Sequence, residues 1–145
     1  MNIKDIKAIY LKNIQRLSDE IAAYSQDENL WEIKNAISNS GGNLCLHLIG
    51  NMNHFIGATL GNTGYVRNRE AEFSTRFLSK VELLKMIEEV KFVVSKTLDE
   101  MDEGDLQKQF PFDIFGVHSN EYYLIFFFAH FEYHLGQINY HRRLV

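Results

Sequence analysis

The chain has 145 residues, of which 46% are apolar and 23% are charged. This length suits one domain with its own core, and this apolar fraction excludes an intrinsically disordered protein. The net charge of −4 lacks the basic excess that sequence-independent nucleic-acid binding requires, and a single cysteine, Cys45, excludes an internal disulfide. We therefore expect one domain over residues 1–145 that does not bind nucleic acid.

The N-terminal segment, MNIKDIKAIY, has no apolar core of the kind that a secretion signal needs. The longest apolar run covers residues 122–129, far fewer than the about 20 residues that a membrane-spanning helix requires. We therefore expect a cytoplasmic protein that makes no membrane contact.

The first half of the chain predicts two helices. Apolar residues recur at every third or fourth position of the first segment, which predicts a helix over residues 2–25. A polar connector follows over residues 26–40, and Asn39 or Ser40 at its end is a candidate N-cap. The connector therefore leads directly into a second helix.

The second helix is predicted over residues 42–59, and a long connector over residues 60–78 follows it. Gly50 and Gly57 lie inside this helix and lower its intrinsic propensity. Because glycine has no side chain, these two positions permit a neighbouring element to approach the helix closely.

The second half of the chain predicts two more helices. Ser79 followed by Glu82 forms a capping-box pattern, which starts a third helix that we expect to end at Gly104. Ser119 is a candidate N-cap for a fourth helix over residues 120–142. Four helices of this length, without any alternating strand pattern, predict an all-α four-helix bundle.

Three histidines in apolar surroundings are candidate metal ligands. His130 and His134 are four residues apart and therefore lie on one face of the fourth helix. His47 lies in an apolar stretch of the second helix and can supply a third imidazole. Three protein ligands with one open position are typical of a catalytic metal site. The alternative is that all three are core histidines with hydrogen-bond partners in the protein.

Two other histidines repeat the same spacing. His54 follows His47 by seven residues, and His141 follows His134 by seven. Parallel second and fourth helices would bring His54 towards His141, whereas antiparallel helices would separate them. The connector over residues 60–78 is long enough to cross the length of a bundle, so both arrangements are sterically available.

Three stretches of the sequence carry a family resemblance. They are NLCLHLIGN, RNREAEF and HFEYHLGQI, at residues 43–51, 67–73 and 130–138. The chain resembles the DinB/YfiT-like superfamily of metal-dependent four-helix-bundle proteins over nearly its whole length. This resemblance implies an up-down-down-up topology with a long crossover between the second and third helices. It also implies that the second and fourth helices are antiparallel.

The resemblance also implies a function. It implies one divalent metal ion, zinc or nickel with iron as a further candidate, held by His47, His130 and His134. Some members are metal-dependent thiol S-transferases or isomerases that use low-molecular-weight thiols. For this chain we expect a metal-dependent hydrolase or thiol S-transferase that acts on a small molecule. Dimers are common in the superfamily, so we expect a homodimer. The alternative from another class is a non-catalytic bundle with a structural or sensing metal.

Two amides lie at helical spacing from the candidate ligands. Asn51 follows His47 by four residues, and Gln137 follows His134 by three. Either amide can orient a ligand histidine or contact water at the metal. The alternative is that both are polar residues near the end of the bundle.

The RNREAEF stretch in the long connector carries four charged side chains. We expect them to form ion pairs that lie at the surface or tether the connector, in preference to binding substrate. They are Arg67, Arg69, Glu70 and Glu72.

Overall fold

The computed structural model describes residues 1–145 and is built from helices. In chain order the α-helices are α1 (Ile3–Ala22), α2 (Gly41–Met52), α3 (Thr59–Gly61), α4 (Arg69–Ser74), α5 (Lys80–Glu100), α6 (Glu103–Gln107) and α7 (Asn120–Leu144). A 3₁₀ turn, Asp27–Trp31, precedes α2. This all-α architecture confirms the predicted fold class.

Serine side chains begin three of the long helices as predicted. Ser40, Ser79 and Ser119 each accept a hydrogen bond from a backbone N–H in the first turn of α2, α5 and α7 respectively. Glu82 also accepts from the backbone N–H of Ser79, which completes the capping box. Local sequence therefore determines where these helices begin.

The predicted end of the third helix is wrong by four residues. α5 ends at Glu100, and Gly104 lies inside the short helix α6. The physical reason is a second capping box, in which Asp102 and Asp105 each accept from the backbone N–H of the other. This box starts a new helix before Gly104 can act as a C-cap.

The second predicted helix continues further than residue 59. A π-helical turn, Asn53–Ala58, joins α2 to α3 and carries the helical path to Gly61. A Cβ atom at Gly57 would lie 2.8 Å from Val93, and one at Gly50 would overlap the Glu72 carboxylate. Both glycines therefore permit a close approach, as the sequence indicated.

Contacts along their length show that α1 and α7 run parallel. Tyr10 donates a hydrogen bond to the carbonyl oxygen of Leu124 in the first half of both helices. Glu20 accepts from Arg142 near the end of both helices. The first and last long helices of the bundle therefore point in the same direction.

The two middle helices run the other way. Lys7 near the start of α1 pairs with Asp99 near the end of α5, so these helices are antiparallel. A Cβ atom at Gly41, the first residue of α2, would lie 2.8 Å from His141 near the end of α7. Helices α2 and α7 are therefore antiparallel, which confirms the up-down-down-up topology and the long crossover.

The core of the bundle is a cluster of 25 buried apolar residues contributed by all four long helices. On α1 the buried positions repeat with helical spacing, at Ile6, Tyr10, Ile14, Leu17 and Ile21. The core is continuous without any contribution from the candidate ligand histidines.

No helix combines the length and the hydropathy that a membrane span requires.

The long connector is more ordered than the sequence analysis predicted, because it contains helix α4. Asn68 caps this helix by accepting from the backbone N–H of Ala71. Asn43 of α2 donates to the carbonyl oxygens of Glu72 and Thr75, each at 2.9 Å. These bonds satisfy carbonyls at the end of α4 and hold it against α2.

Candidate metal centre

Three histidine side chains meet between α2 and α7. The Nε2 atom of His130 lies 3.2 Å from Nε2 of His47 and 3.1 Å from Nε2 of His134. The three rings offer ligand atoms that all lie within 4.8 Å of one another. Helices α2 and α7 are antiparallel neighbours. His47 on α2 therefore faces the turn of α7 that carries His130 and His134. The structure therefore brings together the three residues that the sequence selected.

The spacing of these nitrogen atoms fits a metal ion. Zinc–imidazole bonds of about 2.0–2.1 Å at tetrahedral angles place two ligand nitrogens about 3.3 Å apart. The observed separations of 3.2 Å and 3.1 Å are close to this value. Imidazole nitrogen is a donor that suits zinc, nickel and iron.

His47 is oriented by a carboxylate. Its Nδ1 atom lies 3.0 Å from Oε1 of Glu72, and both side chains are buried. An ionised carboxylate only accepts hydrogen bonds, so Nδ1 of His47 carries the proton and donates it. The Nε2 atom consequently presents its lone pair to the other two rings. A carboxylate behind a histidine in this manner is a recurrent feature of metal sites.

Glu72 is held in place by Arg67. The guanidinium donates from Nε to Oε2 at 2.8 Å and from Nη2 to Oε1 at 2.9 Å. Burial raises the pKa of Glu72, but hydrogen bonds from His47 and Arg67 outweigh that effect and hold the pKa below its ordinary value. The carboxylate reaches this position because Gly50 of α2 has no side chain in its path. Glu72 therefore remains ionised beside His47.

His134 is oriented by an amide. Its Nδ1 atom donates to Oε1 of Gln137 at 2.7 Å, which leaves Nε2 as an acceptor directed at the cluster. This places Gln137 next to a cluster histidine, as the helical spacing suggested. Asn51 is buried, but its side chain makes no hydrogen bond to any of the three histidines.

The three Nε2 atoms of the cluster do not carry enough protons to hydrogen-bond one another. With Nδ1 protonated on His47 and His134, both neutral rings present a bare Nε2 atom to His130. His130 has one proton to give and can satisfy only one of them. Its Nδ1 atom is buried and has no partner in the protein. A cation between the three Nε2 atoms satisfies all three lone pairs, which no protein group does.

The surroundings of His130 and His134 favour the neutral form of both imidazoles. Burial, together with the charges of His134, His47 and Arg67, lowers the pKa of His130 to about 4. Burial also lowers the pKa of His134, although its hydrogen bond to Gln137 acts in the opposite direction. Neutral imidazole is the form that binds metal.

Two of the other three histidines, His54 and His141, were candidates for a second pair, and both lie away from the cluster. His141 is buried, and its ring nitrogens contact the Tyr24 hydroxyl at 2.7 Å and the Glu32 carbonyl oxygen at 2.8 Å. His54 stacks on Phe112 with ring centroids 6.0 Å apart. The antiparallel arrangement therefore separates His54 from His141.

The charged residues of the connector divide into two groups. Arg67 and Glu72 tether the connector, as expected, but their pair is buried and also bonds His47. Sequence reasoning missed this role. Two signals pointed to it: the capping residue Asn68 ahead of a helix with acidic residues, and Gly50 in the facing helix.

Arg69 and Glu70 form no ion pair. The Arg69 guanidinium lies 5.1 Å from the centroid of the Phe73 ring, in cation–π geometry. The Phe73 ring in turn lies 4.9 Å from the ring of His47. Phe73 is therefore an apolar wall of the cluster, with a free guanidinium on its far side.

Comparisons with known proteins agree with this architecture. Residues 3–145 match the family described as "Protein of unknown function (DUF1572)". The crystal structure of a DinB-like protein from Bacillus cereus ATCC 10987 superposes with a TM-score of 0.79. That match covers 99% of this chain and 92% of the other chain at 15% sequence identity, so the likeness concerns the fold. No curated protein matches the sequence.

Proposed function

Since the chain belongs to the DUF1572 family and has a DinB-like fold, we propose that it binds one divalent metal ion through His47, His130 and His134. We further propose that it is a metal-dependent hydrolase or thiol S-transferase that acts on a small molecule. The observation that carries the proposal is the convergence of the three imidazoles, in which Nε2 of His130 lies 3.2 Å from Nε2 of His47 and 3.1 Å from Nε2 of His134. Zinc and nickel are the preferred ions, and iron is a further candidate.

The residues around the cluster prepare it for a metal. Glu72 fixes the proton of His47 on Nδ1, and Gln137 does the same for His134. When bound, a divalent ion on three neutral imidazoles acts as a Lewis acid and lowers the pKa of a coordinated water or thiol. Three protein ligands leave a coordination position for such a molecule.

Elemental analysis of untagged protein tests metal binding. We expect about one zinc or nickel ion per chain in the wild type, by the three-ligand argument. The His47→Ala and His134→Ala variants each remove one of the three imidazoles and should lose the ion. The absence of the tag matters because a polyhistidine tag can itself carry nickel. Wild-type protein that takes up no metal after incubation with zinc or nickel would overturn the proposal.

A second candidate is a non-catalytic bundle whose metal has a structural or sensing role. It is favoured by the absence of a free general base: the one carboxylate bonded to the cluster, Glu72, is engaged by Arg67. Metal removal by a chelator separates the two functions. An enzyme should stay folded and lose turnover of thioester, amide or electrophilic thiol-acceptor substrates. A structural site should lose its folded state with its metal.

A homodimer and a small-molecule thiol partner remain parts of the proposal. Large apolar side chains are exposed on the segment before α7 and on α7 itself, and these support self-association. They include Phe112, Phe115, Val117, Tyr122 and Ile125. Light scattering should give twice the mass of the chain, and a single-chain mass at high concentration would contradict the dimer.

A further inference from the structure

A concave cavity lies beside the three-histidine cluster, on the side nearer the C-terminal end of α7. It has a volume of about 510 Å³ and is bounded by residues 36–39, by Leu44 of α2 and by α7 from Tyr133 to Leu144. Pockets for small molecules have volumes of about 300–1,000 Å³. The cavity is therefore large enough for a small molecule.

The lining of this cavity is uncharged. Six of the eleven lining residues are apolar or aromatic, namely Ala36, Ile37, Leu44, Tyr133, Tyr140 and Leu144. The polar groups are hydroxyl, amide and imidazole side chains, and no Asp, Glu, Lys or Arg lines the cavity. A charged ligand body would lose its hydration here without gaining a partner, whereas an apolar body would not.

The cavity and the metal centre share a residue. His134 lines the cavity and also belongs to the three-histidine cluster. Gln137, which accepts the Nδ1 proton of His134, lines the same wall. A molecule in the cavity therefore lies against one of the three candidate ligand histidines.

We propose that this cavity holds the body of the substrate, and that the substrate is an uncharged small molecule with an apolar or aromatic body and one polar head directed at the metal. The proposal rests on the proposed metal-binding function for the role of the head. The role of the body rests on the cavity alone. The two parts can therefore fail separately.

A small molecule is a better occupant than a second copy of the chain. The site is a concavity that is lined in part by a candidate metal-ligand histidine, His134, whereas a dimer contact needs a broad complementary surface. Tyr133 and Tyr140 are exposed, at 65% and 67%, and form the rim of the cavity. Closure of this rim over a ligand would shield the apolar surface that they now expose.

A dye-binding experiment tests the body of the ligand. The uncharged dye N-phenyl-1-naphthylamine should bind wild-type protein at one site per chain with enhanced fluorescence. Ile37→Glu places a charge in the lining and should weaken dye binding at least tenfold. Val81→Glu is the matched control, because Val81 is 76% exposed and does not line the cavity. It should bind the dye as the wild type does.

A competition experiment tests the head. Octanohydroxamate, which combines an apolar tail with a zinc-binding group, should displace the dye at a concentration at least tenfold lower with zinc than without it. His47→Ala removes a ligand that does not line the cavity. This variant should still bind the dye but lose the effect of zinc. Acetohydroxamate, which lacks the tail, should not displace the dye.

Three results would overturn the inference. Equal dye binding by Ile37→Glu and Val81→Glu would place the dye elsewhere. A loss of dye binding when the chain self-associates would show that a second copy of the chain occupies the cavity. Zinc binding without any effect on octanohydroxamate would separate the cavity from the metal centre. If zinc itself does not bind, the proposed function fails, whereas the dye result still decides the role of the cavity.

Discussion

Two buried histidines of the same fold illustrate different uses of an imidazole. His141 and His47 have the same exposure, at 5% each. Both ring nitrogens of His141 have protein partners, the Tyr24 hydroxyl and the Glu32 carbonyl oxygen. His47 bonds Glu72 through Nδ1, whereas its Nε2 atom competes with Nε2 of His134 for the one Nε2 proton of His130. Burial is therefore uninformative about metal binding, and the informative feature is the ring nitrogen that lacks a proton partner.

The two environments also differ in how they are built. His141 ties the end of α7 to the segment before α2, so its bonds hold elements of the fold together. The three-histidine cluster instead brings three Nε2 atoms together, and His130 has at most one Nε2 proton for the bare Nε2 atoms of His47 and His134. At least one of these lone pairs has no proton partner in the protein, and a cation at this position would satisfy it. We infer that His141 serves the fold and that the cluster serves a ligand.

Loss of a cluster histidine should have the largest effect on metal binding. The His130→Ala variant lacks the imidazole that lies between the other two, so we expect no stoichiometric zinc at micromolar concentration. The variant should remain folded, because His130 is only partly buried and lies beside the 25-residue apolar core. Zinc titration by calorimetry, together with circular dichroism, measures both properties. Wild-type zinc affinity in this variant would show that the cluster is not the site.

Loss of His141 should have the opposite effect. The His141→Ala variant leaves the buried Tyr24 hydroxyl and the Glu32 carbonyl without their partner and opens a void. We expect a loss of about 2–3 kcal/mol in the free energy of unfolding. The number of bound zinc ions should be unchanged. Urea unfolding measures the free energy of unfolding, and Tyr140→Ala is an exposed control on the same helix. A loss of bound zinc from His141→Ala would contradict the distinction between the two environments.

Glu72 should have an intermediate effect, because it acts through His47. The Glu72→Gln variant keeps an acceptor for the His47 proton but leaves Arg67 without its ion pair. Substitution of a residue that supports a metal ligand lowers metal affinity by about 10–100-fold. Zinc titration should show this loss, whereas the Glu70→Gln control should bind zinc as the wild type does. Equal zinc affinities of the two variants would show that Glu72 only holds the connector in place and does not support the metal ligand.

The smallest predicted effect is a pH dependence of the metal-free protein. The pKa of His130 is about 4 in the folded chain and 6.5 ordinarily, so the unfolded chain binds the proton more readily. Stability is therefore lost as pH falls from 6.5 towards 4. Because the ring is partly exposed, we expect only about 1 kcal/mol between pH 7 and pH 5.

Urea unfolding of the apo protein at these two pH values measures this effect. His130→Ala has no imidazole to titrate at this position and should show a smaller difference between the two pH values. A wild-type protein that gains stability on acidification would contradict the predicted direction.

The sequence predicted the parts of the fold that depend on local pattern. Helical periodicity and serine caps place the four long helices, and the spacing of His130 and His134 places two imidazoles on one face. The position of His47 opposite that pair depends on the antiparallel packing of α2 and α7. The family resemblance supplied this topology, and hydropathy alone left it open.

The contacts that orient the site depend on tertiary packing, so they were not predictable from the sequence pattern. Glu72 reaches His47 because α4 folds back onto α2, where Gly50 leaves space and Asn43 binds the α4 carbonyls. A short helix of six residues gives little periodicity to recognise. Gln137 was accessible to sequence reasoning because its partner, His134, lies on the same helix turn.

X-ray absorption spectroscopy of zinc-loaded, untagged protein tests the central claim most directly. We predict three imidazole nitrogens at about 2.0–2.1 Å from zinc, with a fourth light-atom ligand from solvent. The His47→Ala variant, loaded at the same ratio, should not give this spectrum. A sulfur ligand from Cys45, a carboxylate-dominated shell or fewer than three imidazoles in the wild type would contradict a metal centre formed by His47, His130 and His134.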